Sequence, residues 1–514
     1  MRRHLLLGAL LVGLSPVLPA VLPTAVLGLQ VAHAQDLASF EKRTTVKTLG
    51  NGLTVIIVER PEAPVFSYFT HVDVGGAQEA MGQTGLAHMF EHMAFKGTPI
   101  IGTNNYGEER VAIEKVEKAY QAYDAERRKP FGKTPEKLAQ LEKDWRDAYK
   151  GAEKYVVQNE FGEIVDRAGG VGLNAFTNSD ETGYFFSFPS NRFELWAYLE
   201  SERSKKPVMR QFYQERDVVM EERRMRTDSN PIGRMLEQLL AAAFTAHPYG
   251  RPVVGWQSDL ETFSANDAQK FWETYYVPAN RCVAVAGDVK AKEVLPVMEA
   301  YFGRQPKGPK PPPLTTVEPE QFAERTVTLR EGSQPLYMEG YHRPDTRHPD
   351  DAVYDAIADL MSTGRTSRLY RSLVRDQKIA AQAAGIPSFP GSKYPHLFVY
   401  FAIPTPGHNP GELRSAIHKE IARLKTELVS DEELKMVKTR AKVNLLRSLD
   451  SNQGLAIAFA TAQQRYGDWR EVFRSVEKID KVTKEDIRRV ANSVFTDQNR
   501  TAASIETVEQ KGGK

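Results

Sequence analysis

Gly85-Leu86-Ala87-His88-Met89-Phe90-Glu91-His92-Met93-Ala94-Phe95-Lys96-Gly97-Thr98 sets two of the chain's 11 histidines four residues apart. The segment from Thr84 to Phe95 is helical in pattern, with Thr84 as a candidate N-cap and Gly97 as a stop. On a helix, that spacing projects His88 and His92 from one face, about one turn apart, as two imidazoles must be to grip one zinc ion. Glu91 lies on nearly the same face. A carboxylate there can take a proton from a water that the metal activates. A lone helical histidine is ordinarily a surface or satisfied core residue, but two at this spacing with a glutamate between them point to a metal site.

A catalytic zinc takes a third protein ligand and keeps one position open. The candidates stand in Glu215-Arg216-Asp217-Val218-Val219-Met220-Glu221-Glu222. Glu215 and Glu222 share a helix face two turns apart, and Glu221 points about 100 degrees away. Spacing alone leaves two alternatives open, Glu222 as a ligand or a plain charged surface helix. Two imidazoles and a carboxylate suit zinc among the divalent metals.

Outward from the motif, Leu53 to Val58 and Val65 to Val72 read as strands before it. From about 106 to 161 charged residues dominate, and two amphipathic helices flank Lys129-Pro130-Phe131-Gly132-Lys133-Thr134-Pro135, with Thr134 and Pro135 as N-cap and first helical position. This reads as a solvated helical hairpin. Strands follow at Leu173–Asn178 and Tyr184–Phe188, helices at roughly 191–206 and 211–227, and another strand at Arg281–Ala286. Gln305 to Pro313 is a semi-rigid extended linker by composition. Beyond it the same strand and helix grammar returns, which suggests a duplicated α+β unit.

The 514 residues are too many for one ordinary core. A formal net charge of +2 gives no electrostatic case for nucleic acid or an anionic membrane as partner. Arg2, Arg3 and His4 precede an uncharged apolar run, and Ala32-His33-Ala34 is a small-x-small site, so the N-terminus reads as a secretory signal cleaved after Ala34. The run is also long enough for a membrane anchor, although Pro16, Pro19 and Pro23 interrupt it. The single cysteine, Cys282, forms no intrachain disulfide and reads as a buried small hydrophobe. An exported chain without disulfides fits a periplasm-like compartment as well as the open medium. The sequence has no Walker-type loop, Gly-x-Ser-x-Gly elbow or paired-cysteine zinc site. His71, His247, His342, His348, His396, His408 and His418 have no partner at ligand spacing.

The Gly85–Thr98 stretch resembles the signature of the pitrilysin/insulysin-type metallopeptidases, which include the mitochondrial processing peptidases. The likeness extends to Gly172-Leu173-Asn174-Ala175-Phe176-Thr177, Glu215 through Glu222, His247-Pro248-Tyr249-Gly250 and Val283 through Asp288. It implies two homologous α/β-sandwich domains, each a mixed sheet packed by helices, forming half of a clamshell. The expected layout is a signal peptide at 1–34, a catalytic zinc domain at 35–303 with the helical insertion at about 106–161, a linker at 304–316, an inactive homologous domain at 317–505 and a tail at 506–514. Residue by residue, it implies one zinc per chain on His88, His92 and Glu222, with Glu91 as general base. Glu215 becomes an auxiliary carboxylate that orients a ligand or the water. Asn174, Ala175 and Phe176 fall on an edge strand to which a peptide substrate can add by main-chain hydrogen bonds.

Two departures stand out. His92 and Glu222 lie 130 apart, against roughly 75 to 80 in the family, and the 106–161 segment accounts for the excess. The family's second half also carries an arginine and, seven residues on, a tyrosine that hold the scissile carbonyl and its oxyanion. Arg375 fits the first, but Gln382 stands where the tyrosine is expected. That loss points to a dimer, and specifically to a hetero-oligomer in which a related metal-free chain completes the site. The expected function is a zinc endopeptidase acting on short or unfolded peptides. The alternative is a catalytically silent structural or peptide-binding subunit.

Overall fold

Eleven strands among the described residues fall into two sheets of nearly identical design. The computed structural model describes residues 36–508; the expected signal segment 1–34 lies outside them, as does the chain after Val508. The first sheet comprises β1 (Thr44–Thr48), β2 (Thr54–Glu59), β3 (Val65–Val72), β4 (Val171–Thr177), β5 (Thr182–Pro189) and β6 (Arg281–Gly287). Its spatial order is β1-β2-β6-β3-β5-β4. The second comprises β7 (Arg325–Glu331), β8 (Leu336–Arg343), β9 (Ala380–Phe389), β10 (His396–Pro404) and β11 (Arg500–Thr507), in the order β7-β11-β8-β10-β9.

Set side by side, β2-β6-β3-β5-β4 and β7-β11-β8-β10-β9 are one arrangement used twice. In each, the first strand pairs parallel with the last strand of its half, and the other neighbours are antiparallel. The fold is α+β, two mixed sheets packed by helices. Between them, residues 306–322 carry no helix or strand. β11 runs to Thr507, two residues into the stretch expected to be tail.

The run Val55-Ile56-Ile57-Val58 is apolar at both parities because both faces of the first sheet are covered. Val55 and Ile57 pack with Trp196, Met298 and Phe302 of the same half. Ile56 and Val58, with Cys282, Ala284 and Ala286, pack against Leu455, Ala456 and Phe459. Those three belong to the helix Asn452–Tyr466 of the second half. The exchange is reciprocal: the first half's helix Pro231–Ala243 packs on β7 and β11. Arg325 Nη1 donates to the carbonyls of Ala242 and Ala243 at that helix's end, at 2.7 and 2.8 Å. Each sheet thus borrows one covering helix from the other half. Cys282 is fully buried here, and burial pushes its thiol up from the ordinary range.

The halves also meet at the β4–β5 turn. The Asp180 carboxylate accepts from the Tyr249 hydroxyl and from the amides of Ser392 and Lys393, the latter two at 2.7 and 3.1 Å. Lys393 Nζ reaches Asp73 Oδ1 at 2.5 Å. His247 packs beside this joint, its ring 5.1 Å from that of Tyr394. His396 starts β10 just beyond Tyr394 and is fully buried.

Burial pulls His247 down to about 4, against smaller opposing effects of Glu318 and Asp180. Burial also pulls His396 down to about 3, helped by Arg343. Both rings therefore stay neutral in the fold at a pH where the unfolded chain has taken up protons. Their contribution to stability is complete above pH 6.5 and is lost as pH falls through 4 and then 3. Chemical denaturation as a function of pH should show stability falling across that window, and His247→Gln should flatten its upper part. An unchanged slope in the variant would contradict this.

Candidate metal centre

The histidine helix, Leu86–Met93, begins where the chain turns through Gly85 at φ 96°, a left-handed conformation that favours glycine. The expected Thr84 cap is not what starts it. Thr84 donates its hydroxyl to Asp259 Oδ2 at 2.7 Å and accepts from the Trp256 amide at 2.9 Å. Glu79 caps the helix from a distance instead, its two oxygens accepting from the Gly85 and Ala87 amides at 2.8 and 2.7 Å. A carboxyl group there satisfies the free amides of the first turn, while burial pushes Glu79 up to about 8 against the lowering effect of those two hydrogen bonds. Leu86, Met89, Phe90 and Met93 are buried and fix which face the helix turns outward. Gly97, at φ 94°, ends the segment as expected.

The glutamate helix, Phe212–Arg223, packs against it. A wide turn, Arg224–Asp228, follows, in which the Ser229 amide reaches back five residues to the Arg224 carbonyl at 2.8 Å. Arg223 ties this end down by donating to the Gly255 carbonyl at 2.6 Å and to Glu237 at 2.9 Å.

Between the two helices, one atom each from His88, His92 and Glu222 lies within 4.8 Å of the others. His88 Nε2 stands 3.5 Å from Glu222 Oε1, and His92 Nε2 stands 3.6 Å from Glu222 Oε2. Bonds of about 2.0–2.1 Å at tetrahedral angles set donor atoms roughly 3.3–3.5 Å apart, so this donor set fits one zinc ion. Among the described residues this is the one such cluster of His, Cys, Asp and Glu.

Glu215 touches the other face of the second imidazole, with Oε2 at 3.4 Å from His92 Nδ1. Such a contact fixes the ring's orientation and leaves Nε2 for the metal. Lys96 pairs with Glu215, and Arg226 holds Glu222 Oε1 at 2.7 Å. Burial alone would lower His92, but Glu215, Glu222 and Glu91 outweigh it and hold the ring above its ordinary value. Burial works against the charged forms of Glu215 and Glu222 too. His92 and Lys96 nevertheless hold the first below the usual range, and His88 and Arg226 hold the second there. Both carboxylates are therefore ionised near neutrality.

Asn174, Ala175 and Phe176 lie on β4, the outermost strand of its sheet, which contacts the histidine helix. Its outer edge has no partner strand among the described residues. Ala175 packs toward the cluster behind that helix, whereas Phe176 stacks on Phe69 of the sheet's other face at 5.9 Å. Arg375 sits in the second half on the turn Tyr370–Asp376, exposed, its guanidinium held by Asp376 at 2.6 and 3.0 Å. Gln382 lies on β9 opposite Ile403. The structure thus gathers His88, His92, Glu215 and Glu222 with Glu91 close by, while Arg375 is engaged elsewhere. Lys96, Arg226 and Glu79 are additions that the sequence reading missed. Arg226 follows Glu222 by four residues, a spacing at which a partner could have been sought.

The family model described as Insulinase (Peptidase family M16) matches residues 54–125, which include the histidine helix. The one described as Peptidase M16 inactive domain matches residues 262–441. The chain belongs to the pitrilysin/insulysin-type metallopeptidase family. Glu215 and Glu222 fall between the two matched ranges. Zinc protease PqqE of Helicobacter pylori is 28% identical, over 96% of this chain and 98% of its own. A probable mitochondrial-processing peptidase subunit beta of Arabidopsis thaliana is 22% identical, over 93% of this chain and 81% of its own. Among solved structures, a protease from Helicobacter pylori superposes with a TM-score of 0.74 at 26% identity, covering 90% of this chain and 99% of that one. The periplasmic protease PqqL of Escherichia coli reaches 0.66 at 17% identity, covering 90% of this chain and 48% of its own. PqqE and a Mycobacterium leprae relative, 23% identical over 87% of this chain and 88% of its own, are both named as zinc proteases, which supports a peptidase and a zinc cofactor.

Neutralising the carboxylate that holds His92 Nδ1 should loosen the centre without dismantling it. Glu215→Gln is expected to weaken zinc binding roughly 10–100-fold. Glu222→Gln, which replaces an anionic donor by a neutral amide, is expected to cost more. Competition against a chromophoric chelator measures both, and equal affinities in the two variants would contradict these roles.

Proposed function

We propose that the chain is a zinc-dependent endopeptidase hydrolysing short or unfolded peptides, with one zinc held by His88, His92 and Glu222. The observation that carries this reading is the convergence of three donor atoms from two helices within 4.8 Å, beside a glutamate on the same helical turn as His92. Zinc, when bound, supplies a Lewis acid that makes water nucleophilic near neutral pH. Glu91 takes the proton as that water attacks the scissile carbonyl and delivers it to the leaving amine. Glu215 keeps the His92 ring aligned, and Lys96 keeps Glu215 charged. The substrate adds to the free edge of β4 around Asn174, Ala175 and Phe176, where backbone pairing reads shape rather than sequence. The Ala175 amide donates to Asn174 Oδ1 at 2.9 Å, so an incoming peptide carbonyl replaces that local contact.

The oxyanion is where this chain alone falls short. Gln382 replaces a phenol, and Arg375 is engaged by Asp376. The active form is therefore a dimer, and specifically a hetero-oligomer whose metal-free second chain supplies the missing donors. A relative named as a processing-peptidase subunit supports that reading. The domain bounds are those set out above, with residues 35–303 catalytic and an inactive partner domain from 317 that β11 carries to Thr507 rather than 505. Export through the 1–34 signal and a periplasmic or secreted location complete the proposal. No helix among the described residues is long and apolar enough to cross a membrane, and PqqL is named as periplasmic.

The test is hydrolysis of a quenched fluorescent peptide by the chain from Gln35 onward, beside Glu91→Gln. Loss of the general base should lower the rate roughly 10²–10⁴-fold while zinc content stays the same. Chelator-sensitive activity of the lone wild-type chain would establish the peptidase and remove the need for a partner. A zinc-loaded but inactive chain that gains activity with a metal-free relative would support the hetero-oligomer. One that stays inactive would favour the silent, peptide-binding subunit.

A further inference from the structure

The 106–161 segment contains two long helices, Tyr106–Arg127 and Pro135–Glu153, packed as a hairpin. Its base is closed where the Asn104 amide donates to the Tyr155 carbonyl at 2.9 Å and the Val157 amide to the Gly102 carbonyl at 3.0 Å. Much of its outer surface is charged and exposed, as a solvated hairpin requires. Its inner surface is not. Glu109, Val116, Tyr120 and Trp145 are buried, and they close on the glutamate helix.

At about 100 degrees per residue, Glu215 and Glu222 share one side of that helix, Tyr213 falls on the far side and Arg216 on the flank between them. Tyr213 donates to Glu117 Oε2 at 2.7 Å, and its ring lies 4.2 Å from Tyr120 and 5.4 Å from Trp145. Arg216 Nη1 donates to the Tyr120 hydroxyl at 2.6 Å, with its guanidinium 5.0 Å above the rings of both Tyr120 and Tyr213. Just ahead of the helix, Arg210 is 1% exposed. It donates to the carbonyls of Ile101 and Thr98, in the loop that follows the histidine helix, at 3.1 and 3.2 Å. Its charge is met by the hairpin's Glu109 through two contacts at 2.5 and 2.7 Å. One buried guanidinium thus joins the loop after the histidine helix, the entry to the glutamate helix and the hairpin. Without Glu109 it would be a buried cation lacking a counter-charge, a strongly unfavourable state.

We infer that the hairpin is a brace that sets the position of the glutamate helix, and through it of Glu215 and Glu222, against the histidine helix. This inference rests on the metal reading above, and it makes Glu109, Glu117 and Tyr120 positioning residues that touch neither metal nor substrate. The brace acts before any metal arrives, because every contact in it is between protein groups. A decorative hairpin would leave its surroundings intact when perturbed.

The experiment compares wild type, Glu109→Gln, Glu109→Asp and Tyr120→Phe by two measurements on the full chain. Hydrogen exchange of the metal-free protein reads the amides of residues 212–223, and chelator competition reads zinc affinity. Exchange across 212–223 should quicken about tenfold in Glu109→Gln, with zinc affinity falling by a similar factor, while strands β2, β3 and β6 keep their protection. Glu109→Asp, which keeps the charge, should recover a large part of both. Tyr120→Phe should move both in the same direction by a smaller factor and decides the matter if Glu109→Gln does not fold. Unchanged exchange and affinity would overturn the inference. So would faster exchange with unaltered zinc affinity, or loss of protection spread over the whole first sheet. A wild type that binds no zinc would end the metal reading, and the exchange measurement would still report on the brace.

Discussion

Everything at the centre depends on bringing two glutamates of one helix to within 3.4–3.6 Å of two imidazoles on another. That approach is electrostatically expensive unless it is balanced. Glu91, Glu215 and Glu222 bring three carboxylates into a partly buried space, and Lys96 and Arg226 return two positive charges. Three carboxylates against two cationic side chains leave a surplus of negative charge, which favours a cation at the one place where nitrogen and oxygen donors converge. The surrounding fold can be understood as the means of holding two short helices at that separation. Glu79 caps one from a loop, Arg223 anchors the end of the other, and Arg210 joins their neighbouring segments.

The second half shows the same framework without the chemistry. Its helix Asp351–Ser362 occupies the place of the histidine helix between the corresponding strands. Asp355 and Asp359 lie four residues apart on it, the same spacing as His88 and His92 on theirs. Asp359 is taken up by Arg440 at 2.9 Å. Burial, with Asp351 nearby, pushes the Asp355 carboxyl up to about 7. At that spacing the second half carries carboxylates, one paired with Arg440 and one largely desolvated. The duplicated halves are held together by their exchanged helices, so the half without the histidines still covers the sheet beneath the metal centre.

How much of this could be read from the sequence depends on the range over which each feature is encoded. His88, Glu91 and His92 are legible because helical periodicity alone puts them together. The duplication is legible in the returning strand pattern, and Thr134 caps its helix as its local sequence indicates, accepting from the Lys137 amide. Glu222 was not decided by spacing, because its partner lies 130 residues earlier and only tertiary packing unites them. Thr84 misled because Ser and Thr caps are local, whereas here Gly85 takes a left-handed turn that lets Glu79 reach in from outside. The helix exchange left no trace, since an amphipathic pattern states that a face is buried but not against which sheet. The buried side of the 106–161 hairpin was masked by its charge. Glu109 counts as a surface residue in any pattern, and only the buried Arg210 explains its place.

X-ray absorption at the zinc K-edge, on the full chain loaded with one equivalent of zinc, tests the central claim most directly. The account predicts a low-coordinate first shell of nitrogen and oxygen at about 2.0–2.1 Å, with the multiple scattering of two imidazoles. Glu222→Gln should alter that shell, and His88→Ala should remove one imidazole from it. A six-coordinate, all-oxygen shell, or an imidazole count unchanged in His88→Ala, would contradict it.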